Sequence, residues 1–301
     1  MRLLAVLAAG LLLAAAAADA QLPVHEPLVL RFPGGTRAAA MANAAMGSRD
    51  DEVLFYAPAQ LVVARGLGAS WQRMGEADLR GVSAVFQSSG FGFGVGAQHL
   101  GFHAPAGLPV APRAVGEDAR VDAPAASSSL AAGVARVVKG VRLGLVGRAT
   151  EDLADGRRAR RATVDLGAGR AIGPLHVGLS VQHLGAASDV ATLRVRPPTQ
   201  ATVGFNGDGL PLLGSFDLAG GASLSVQRGG RVVPRTGWEL SWVWIEGYAL
   251  QGRVGARRPE WEGQSPLTFG VGFMRDNVSL DYTFEPADGA PTSHRVGIRV
   301  R

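Results

Sequence analysis

Asp50 and Asp51 are the most suggestive acidic pair in this chain. Adjacent carboxylates can hold a cation or contact a neighbouring segment. The simplest use is to cap a helix or turn, because Asp accepts readily from exposed amides. His99 and His103 stand four residues apart. On a strand that spacing separates them by roughly 13 Å, too far to share one metal ion. Asn206-Gly207-Asp208-Gly209 has part of the pattern of a calcium loop. It lacks the distant Glu that such a loop needs, so it reads as a plain turn. Gly90, Gly92, Gly94 and Gly96 alternate. A phosphate cradle needs a strand-to-helix turn, whereas alternate glycines pack or bend a strand. No Ser sits at a nucleophile elbow. The expectation is a protein that is not an enzyme, with no cofactor and no metal site.

The elements that must carry these residues follow from composition and pattern. The chain has 301 residues, of which 42 are Gly. That much Gly opposes a helical bundle, since each interior Gly costs a helix roughly 1 kcal/mol relative to Ala. It suits curved strands. Hydrophobic residues make up 47% and charged residues 18%, lean in charge for a soluble surface. Beyond the N-terminus no run reaches the ~20 apolar residues of a membrane helix. A chain that is apolar overall but never in long runs suits alternating membrane strands. The absence of Cys excludes disulfides, Cys-based zinc sites and a lipidated N-terminal Cys. The net charge of +5 is scattered, mostly as Arg, with no basic run interleaved with aromatics, so nucleic acid is not expected as a partner.

Met1 to Ala20 reads as a signal peptide: Arg2, then the apolar Leu3 to Ala17, then the small-x-small Ala18-Asp19-Ala20 with cleavage after Ala20. From about residue 60 the chain alternates with period two. Val278, Leu280, Tyr282 and Phe284 oppose Ser279, Asp281 and Thr283, and Val296, Ile298 and Val300 oppose Arg295, Arg299 and Arg301. Trp238, Leu240, Trp242 and Trp244 oppose Glu239 and Ser241, while Val141, Leu143 and Leu145 oppose Arg142, Gly144 and a misfit, Val146. Successive strand side chains point to opposite faces, so each segment has one apolar and one polar or small face. Fourteen such segments are expected: 60–73, 78–88, 90–100, 128–138, 141–150, 159–170, 174–184, 199–206, 213–227, 235–245, 247–257, 266–275, 277–285 and 293–301.

The joins tend to alternate between long ones, such as 101–127 and 185–198, and short ones, such as Lys139-Gly140, Glu246 and Asp276. The joins 207–212 and 258–265 read as breaks in that alternation. Outer-membrane barrels have short periplasmic turns and longer external loops, with both termini periplasmic when the strand count is even. The fold expected is all-β: a transmembrane outer-membrane barrel of about 14 antiparallel strands over 60–301. Its polar faces would line the lumen, with Arg142, Asp165, Glu239, Arg253, Asp281, Arg295 and Arg299 among the lining residues. Trp238, Trp242, Trp244 and Tyr248 would form an aromatic belt beside the turn at Glu246.

Several segments resemble the PorV/PorQ-type outer-membrane proteins, a branch of the FadL-like barrels. Residues 34–61 carry Arg37, Met41, Ala44, Asp50, Asp51, Tyr56, Pro58, Ala59 and Leu61 at positions of that family's N-terminal pattern. Ala40, Ala42 and Ala57 depart from it, standing where the pattern has Gly, Gly and Asn. Val177 to Gly185 is similar to a family strand end, with His183 in an Asn position, and Leu280-Asp281-Tyr282-Thr283-Phe284 and His294-Arg295-Val296 are similar to its closing strands. The chain departs again at Val300-Arg301, where barrels commonly end in an aromatic residue. The resemblance implies an N-terminal plug or hatch over 21–59, with Arg37, Met41, Asp50, Asp51, Tyr56 and Pro58 as its motif residues. It also implies a scaffold or accessory for protein secretion or attachment, with secretion-machinery proteins as partners. The alternative is a FadL-like transporter of hydrophobic small molecules. Outer-membrane lipid is the expected surroundings in either case.

Overall fold

Every alternating segment becomes a strand, and the strands close on one another. The computed structural model describes residues 24–75, 77–104, 123–154, 157–190, 193–260, 264–287 and 291–301. The expected signal peptide lies outside them, as does most of the join 101–127. In chain order the strands are β1 (Val24–His25), β2 (Gly66–Met74), β3 (Ala77–Ser88), β4 (Phe91–Ala104), β5 (Ala123–Val138), β6 (Val141–Ala154), β7 (Arg157–Ile172) and β8 (Leu175–Leu184). Then come β9 (Ser188–Val190), β10 (Leu193–Val195), β11 (Gln200–Leu213), β12 (Phe216–Gln227), β13 (Val232–Ile245), β14 (Tyr248–Arg257), β15 (Leu267–Arg275), β16 (Val278–Glu285) and β17 (Ser293–Val300). Strands β2–β8 and β11–β17 form one closed antiparallel barrel of fourteen, sealed where Val300 pairs with Leu67 and Ser293 with Met74. Each of the fourteen strands pairs with a neighbour on both sides, so the sheet has no free edge strand, as a sheet standing in hydrocarbon requires.

One end of the barrel consists of six two-residue turns, such as Ser89-Gly90, Lys139-Gly140 and Asp276-Asn277. Both residues of the first two turns have positive φ, at 51° and 79° and at 50° and 76°. That twist matches the flanking strands, and Gly takes it without strain. The opposite end carries the longer joins, although 75–76 and 155–156 there are also two residues long. The stretch 207–212 is not a join. It continues β11, which pairs with β12 through register shifts between Gly207 and Leu210 and between Pro211 and Leu213. Asn206 and Gly207 are paired on both sides, and the turn preference of Asp208-Gly209 is met by a bulge with Gly209 at a φ of 62°, so the strand runs on and the apparent break in alternation disappears. The join after β14 lies at the long-loop end, so it too fits the alternation.

The outward face is apolar. Leu130 and Val271 are 64% and 59% exposed, and rows such as Val278, Leu280 and Tyr282 look outward with them. Trp242, Trp244, Tyr248 and Phe273 cluster on the outer wall beside Glu246-Gly247, with ring centroids 5.4 to 6.3 Å apart. Trp238 does not join them. It pairs with Gly220 and Val254, well up the wall, because a strand advances about 3.3 Å per residue away from the turn.

The inward face meets the N-terminal segment. Its first described residues lie at the long-loop end, where β1 pairs with β10 in the β8–β11 join. From there come a 3-10 turn (Leu28–Arg31), a short helix α1 (Thr36–Ala40), and two more 3-10 turns, Asp51–Phe55 and Pro58–Val62. Residues 60–65, expected as strand, are therefore the end of this segment, and β2 begins at Gly66. Only the barrel's own ends, at Gly66 and Val300, share the short-turn end, and the described chain starts at the other. Inward glycines admit the segment: a Cβ at Gly92 would meet the Leu61 carbonyl, and one at Gly144 the Pro58 carbonyl. Val146, the misfit in the polar face of β6, packs inward with Leu54 and Leu61 in a buried apolar cluster.

Outward exposure of Val271 in mid-wall predicts that Val271→Arg costs about 2–4 kcal/mol of stability in lipid vesicles while leaving a soluble control property such as export unchanged. Equilibrium unfolding in the bilayer checks this, and Val271→Leu should be close to neutral.

Candidate functional site

The inner segment and the wall meet in a closed ring of six alternating charges. Arg37, on α1, grips Glu239 of β13 with two bonds, Nε to Oε2 at 2.8 Å and Nη2 to Oε1 at 3.0 Å. Glu239 also accepts from Arg253 of β14 at 2.5 Å, and Arg253 donates to Asp281 of β16 at 2.5 Å. Asp281 accepts from Arg299 of β17 at 2.8 Å. Arg299 lies 2.7 Å from Asp50, which returns to Arg37 at 3.0 Å. Ser48 donates to Asp50 at 3.1 Å, and Arg301 adds a further ion pair to Asp50. The ring is buried, and its most accessible side chain, Arg37, is 11% exposed. Burial alone would raise the Asp50 carboxyl, but Arg299, Arg37 and Arg301 together hold it well below the usual carboxylate range.

Asp50 occupies the N-cap position of the 3-10 turn Asp51–Phe55, yet its side chain makes no cap bond there. The capping expected of the Asp50-Asp51 pair is instead done by Glu52, whose carboxylate accepts from the Arg37 and Ala38 amides at 3.2 and 2.9 Å, at the start of α1. Asp51 turns to the wall and accepts from Ser83 at 2.5 Å. Burial, then the neighbouring Glu52, pushes the Asp51 carboxyl up to about 7 despite that bond. Tyr56 is buried, and its phenol is pushed above its ordinary range by burial, Glu52 and Asp50.

The other motif positions are seated against the wall as well. Met41 is buried with its backbone against Gly237 and Gly255, and Pro58 lies over Gly144 and Gly167. Ala42, where the family pattern has Gly, takes a φ of 53°, a conformation Gly adopts without cost. His183, in the Asn position, takes a φ of 57°. Asn and His are among the side chains most often found there.

All seven residues proposed to line the lumen face inward, and six of them are buried. Arg142, the half-buried one, donates to Gln60 at 2.8 Å. Asp165 accepts from Arg148 at 2.8 Å and from the His183 amide at 2.7 Å, where the β7–β8 register shifts. Arg295 donates to the Pro33 and Gly35 carbonyls, both at 2.8 Å. Arg148 was missed by sequence reasoning. It caps the Leu54 and Phe55 carbonyls at 3.2 and 2.8 Å and lies over the Phe55 ring. The inward phase of Arg142, Gly144 and Val146 points to it. His99 faces outward and bonds Ser128 at 2.9 Å, and the described residues hold no group of three His or acidic residues fit for a metal.

No family model matches this sequence, and no curated protein matches it. The fold does match solved structures. The toluene transporter TbuX of Ralstonia pickettii aligns with a TM-score of 0.57 at 15% identity, over 91% of this chain and all of that one. The monoaromatic hydrocarbon channel CymD aligns at 0.59 and 10% identity, over 88% and 97%. The toluene transporter TodX of P. putida aligns at 0.50 and 10%, over 89% and 97%. The chain thus shares the closed-barrel fold of these solved structures.

Two outcomes are expected. Glu239→Ala strands Arg37 and Arg253 without their shared acid. Removing one partner of a buried pair costs about 3–5 kcal/mol, so unfolding should show a loss of that size, smaller when Arg37→Ala is combined with it. For Asp51, the folded-state value lies above the unfolded one, so the folded form holds the extra proton between them. Stability contributed at this carboxyl is lost as pH rises from about 4 to about 7 and is level above that. Protection factors of residues 45–64, taken as exchange relative to the intrinsic rate at each pH, should fall across that range in the native protein and stay level in Asp51→Asn.

Proposed function

We propose that this chain is an outer-membrane channel for hydrophobic small molecules, of the FadL-like kind, and that residues 21–59 are its movable hatch. The observation that carries this reading is how the charged ring divides. If the inner segment leaves, Arg37 and Asp50 keep each other, while Glu239, Arg253, Asp281 and Arg299 keep an alternating chain of two acids and two bases. Each half is electrically neutral by itself. Within the ring, separation therefore strands no lone charge, which if buried would cost several kcal/mol. A device that must open and reclose needs such a joint. By the loop asymmetry, the short turns face the periplasm and the long loops face outside.

The similar solved structures are hydrocarbon channels and toluene transporters, which supports transport as the activity. The secretion-accessory reading has only the motif resemblance behind it.

The test uses the fact that the chain has no cysteine. The Met46 Cβ lies 3.6 Å from where a Cβ on Gly178 would stand, within disulfide range. Met46→Cys with Gly178→Cys should therefore pin the segment to β8. In proteoliposomes, toluene uptake is expected for the native chain and the reduced variant, and should stop on oxidation. Equal uptake in both redox states would overturn the hatch. No uptake at all, with a secretion component retained on affinity capture from native membranes, would overturn the channel.

A further inference from the structure

A cavity of about 260 Å³ lies at the long-loop end, lined in part by the inner segment. Its lining is strongly asymmetric. Leu30, Phe32, Pro33 and Tyr56 of the segment offer apolar and aromatic surface on one side. Arg228, Arg231, Arg235 and Arg257 of the wall and its joins stand on the other, and Arg31 completes five arginines against two glutamates, Glu26 and Glu260.

The arginines are not all neutralised. Arg31 pairs with Glu26, and Arg235 with Glu260 at 2.7 Å. Arg257 pairs with Glu285, but its Nε is buried without a hydrogen-bond acceptor. Arg231 spends its donors on the Glu260 and Pro259 carbonyls, both at 2.7 Å, which satisfy hydrogen bonds without cancelling charge. Among the described residues the Arg228 guanidinium makes no ion pair. The cavity mouth thus keeps an uncompensated positive field inside a concave wall, where field lines concentrate. A neutral ring can rest on the apolar residues but gains nothing from the guanidinium groups. A carboxylate returns charge-assisted, often two-pronged bonds.

Resting on the channel reading above, we propose that this cavity is the cargo's first binding site and that it selects small aromatic carboxylates. The carboxylate sits between Arg228, Arg231 and Arg257, and the ring lies on Phe32, Leu30 and Tyr56. Because Tyr56 belongs to the segment, an occupied site lies directly on the proposed hatch.

Benzoate is the probe, with benzamide as its uncharged counterpart of the same shape. Titration calorimetry on the detergent-solubilised full chain is expected to give benzoate binding at least tenfold tighter than benzamide, weakening as salt is raised. Arg228→Gln with Arg231→Gln should abolish that preference, whereas Lys139→Gln, at the distant short-turn end, should leave it intact. Equal binding of the two probes, or a preference that survives the double substitution, overturns the proposal. Toluene uptake without any benzoate binding also overturns it and leaves the channel standing. Failure of both toluene and benzoate to enter proteoliposomes defeats the channel reading and this one with it.

Discussion

The desolvation of six charges inside a barrel is the constraint around which this interior is arranged. An ion taken out of water carries a penalty of several kcal/mol, recovered only by close opposite charge and satisfied hydrogen bonds. Arg37, Glu239, Arg253, Asp281, Arg299 and Asp50 meet it by alternating in sign around a closed loop, so that every acid has two bases and every base two acids. Four members stand on four wall strands and two on the inner segment. The wall strands are thereby tied to one another as well as to the segment, and the chain that must thread the lumen has a single register in which its charges are met.

Around that ring the same strands serve two solvents. Outward positions carry aliphatic and aromatic side chains with no polar partner to find, while inward positions carry charges, hydroxyls and glycines. The inward glycines matter because the segment comes close enough for backbone to touch backbone. At Gly92 and Gly144 a methyl group would already displace the Leu61 and Pro58 carbonyls. Inward polar side chains then meet the segment's carbonyls, as Thr283 does for Thr36 at 2.7 Å and Thr268 for Ala40 at 2.9 Å. A segment with little regular structure of its own stays hydrogen-bonded by borrowing donors from the wall.

Much of the wall was legible because alternation is a local property. The fourteen segments, the inward phase of Glu239, Asp281 and Arg299, and the two-residue turns all follow from residue types a few positions apart. Departures have physical causes. Asn206-Gly207-Asp208-Gly209 has turn-forming residues, but Asn206 and Gly207 are held by ladders on both sides, and Asp208 and Gly209 are left to form a bulge in β11. Trp238 shares a face with Trp242 and Trp244 but not their depth, since a face says nothing of height. Val146 broke the polar pattern of its strand because the surface it meets inside is Leu54 and Leu61 rather than water. The motif resemblance picked out Arg37 and Asp50, but their partners could not be read from it.

Residue pattern alone announced a wall, about fourteen strands in it and the greasy side of each, because backbone geometry sends successive side chains to opposite faces wherever a strand forms. It took the closed barrel to bring Arg37 to Glu239, 202 residues away, and to set Asp50 between Arg37 and Arg299. Those meetings depend on the accumulated register of the whole closed sheet and on the path of a segment that has no periodicity to announce it. Neither quantity is carried by any short stretch of residues.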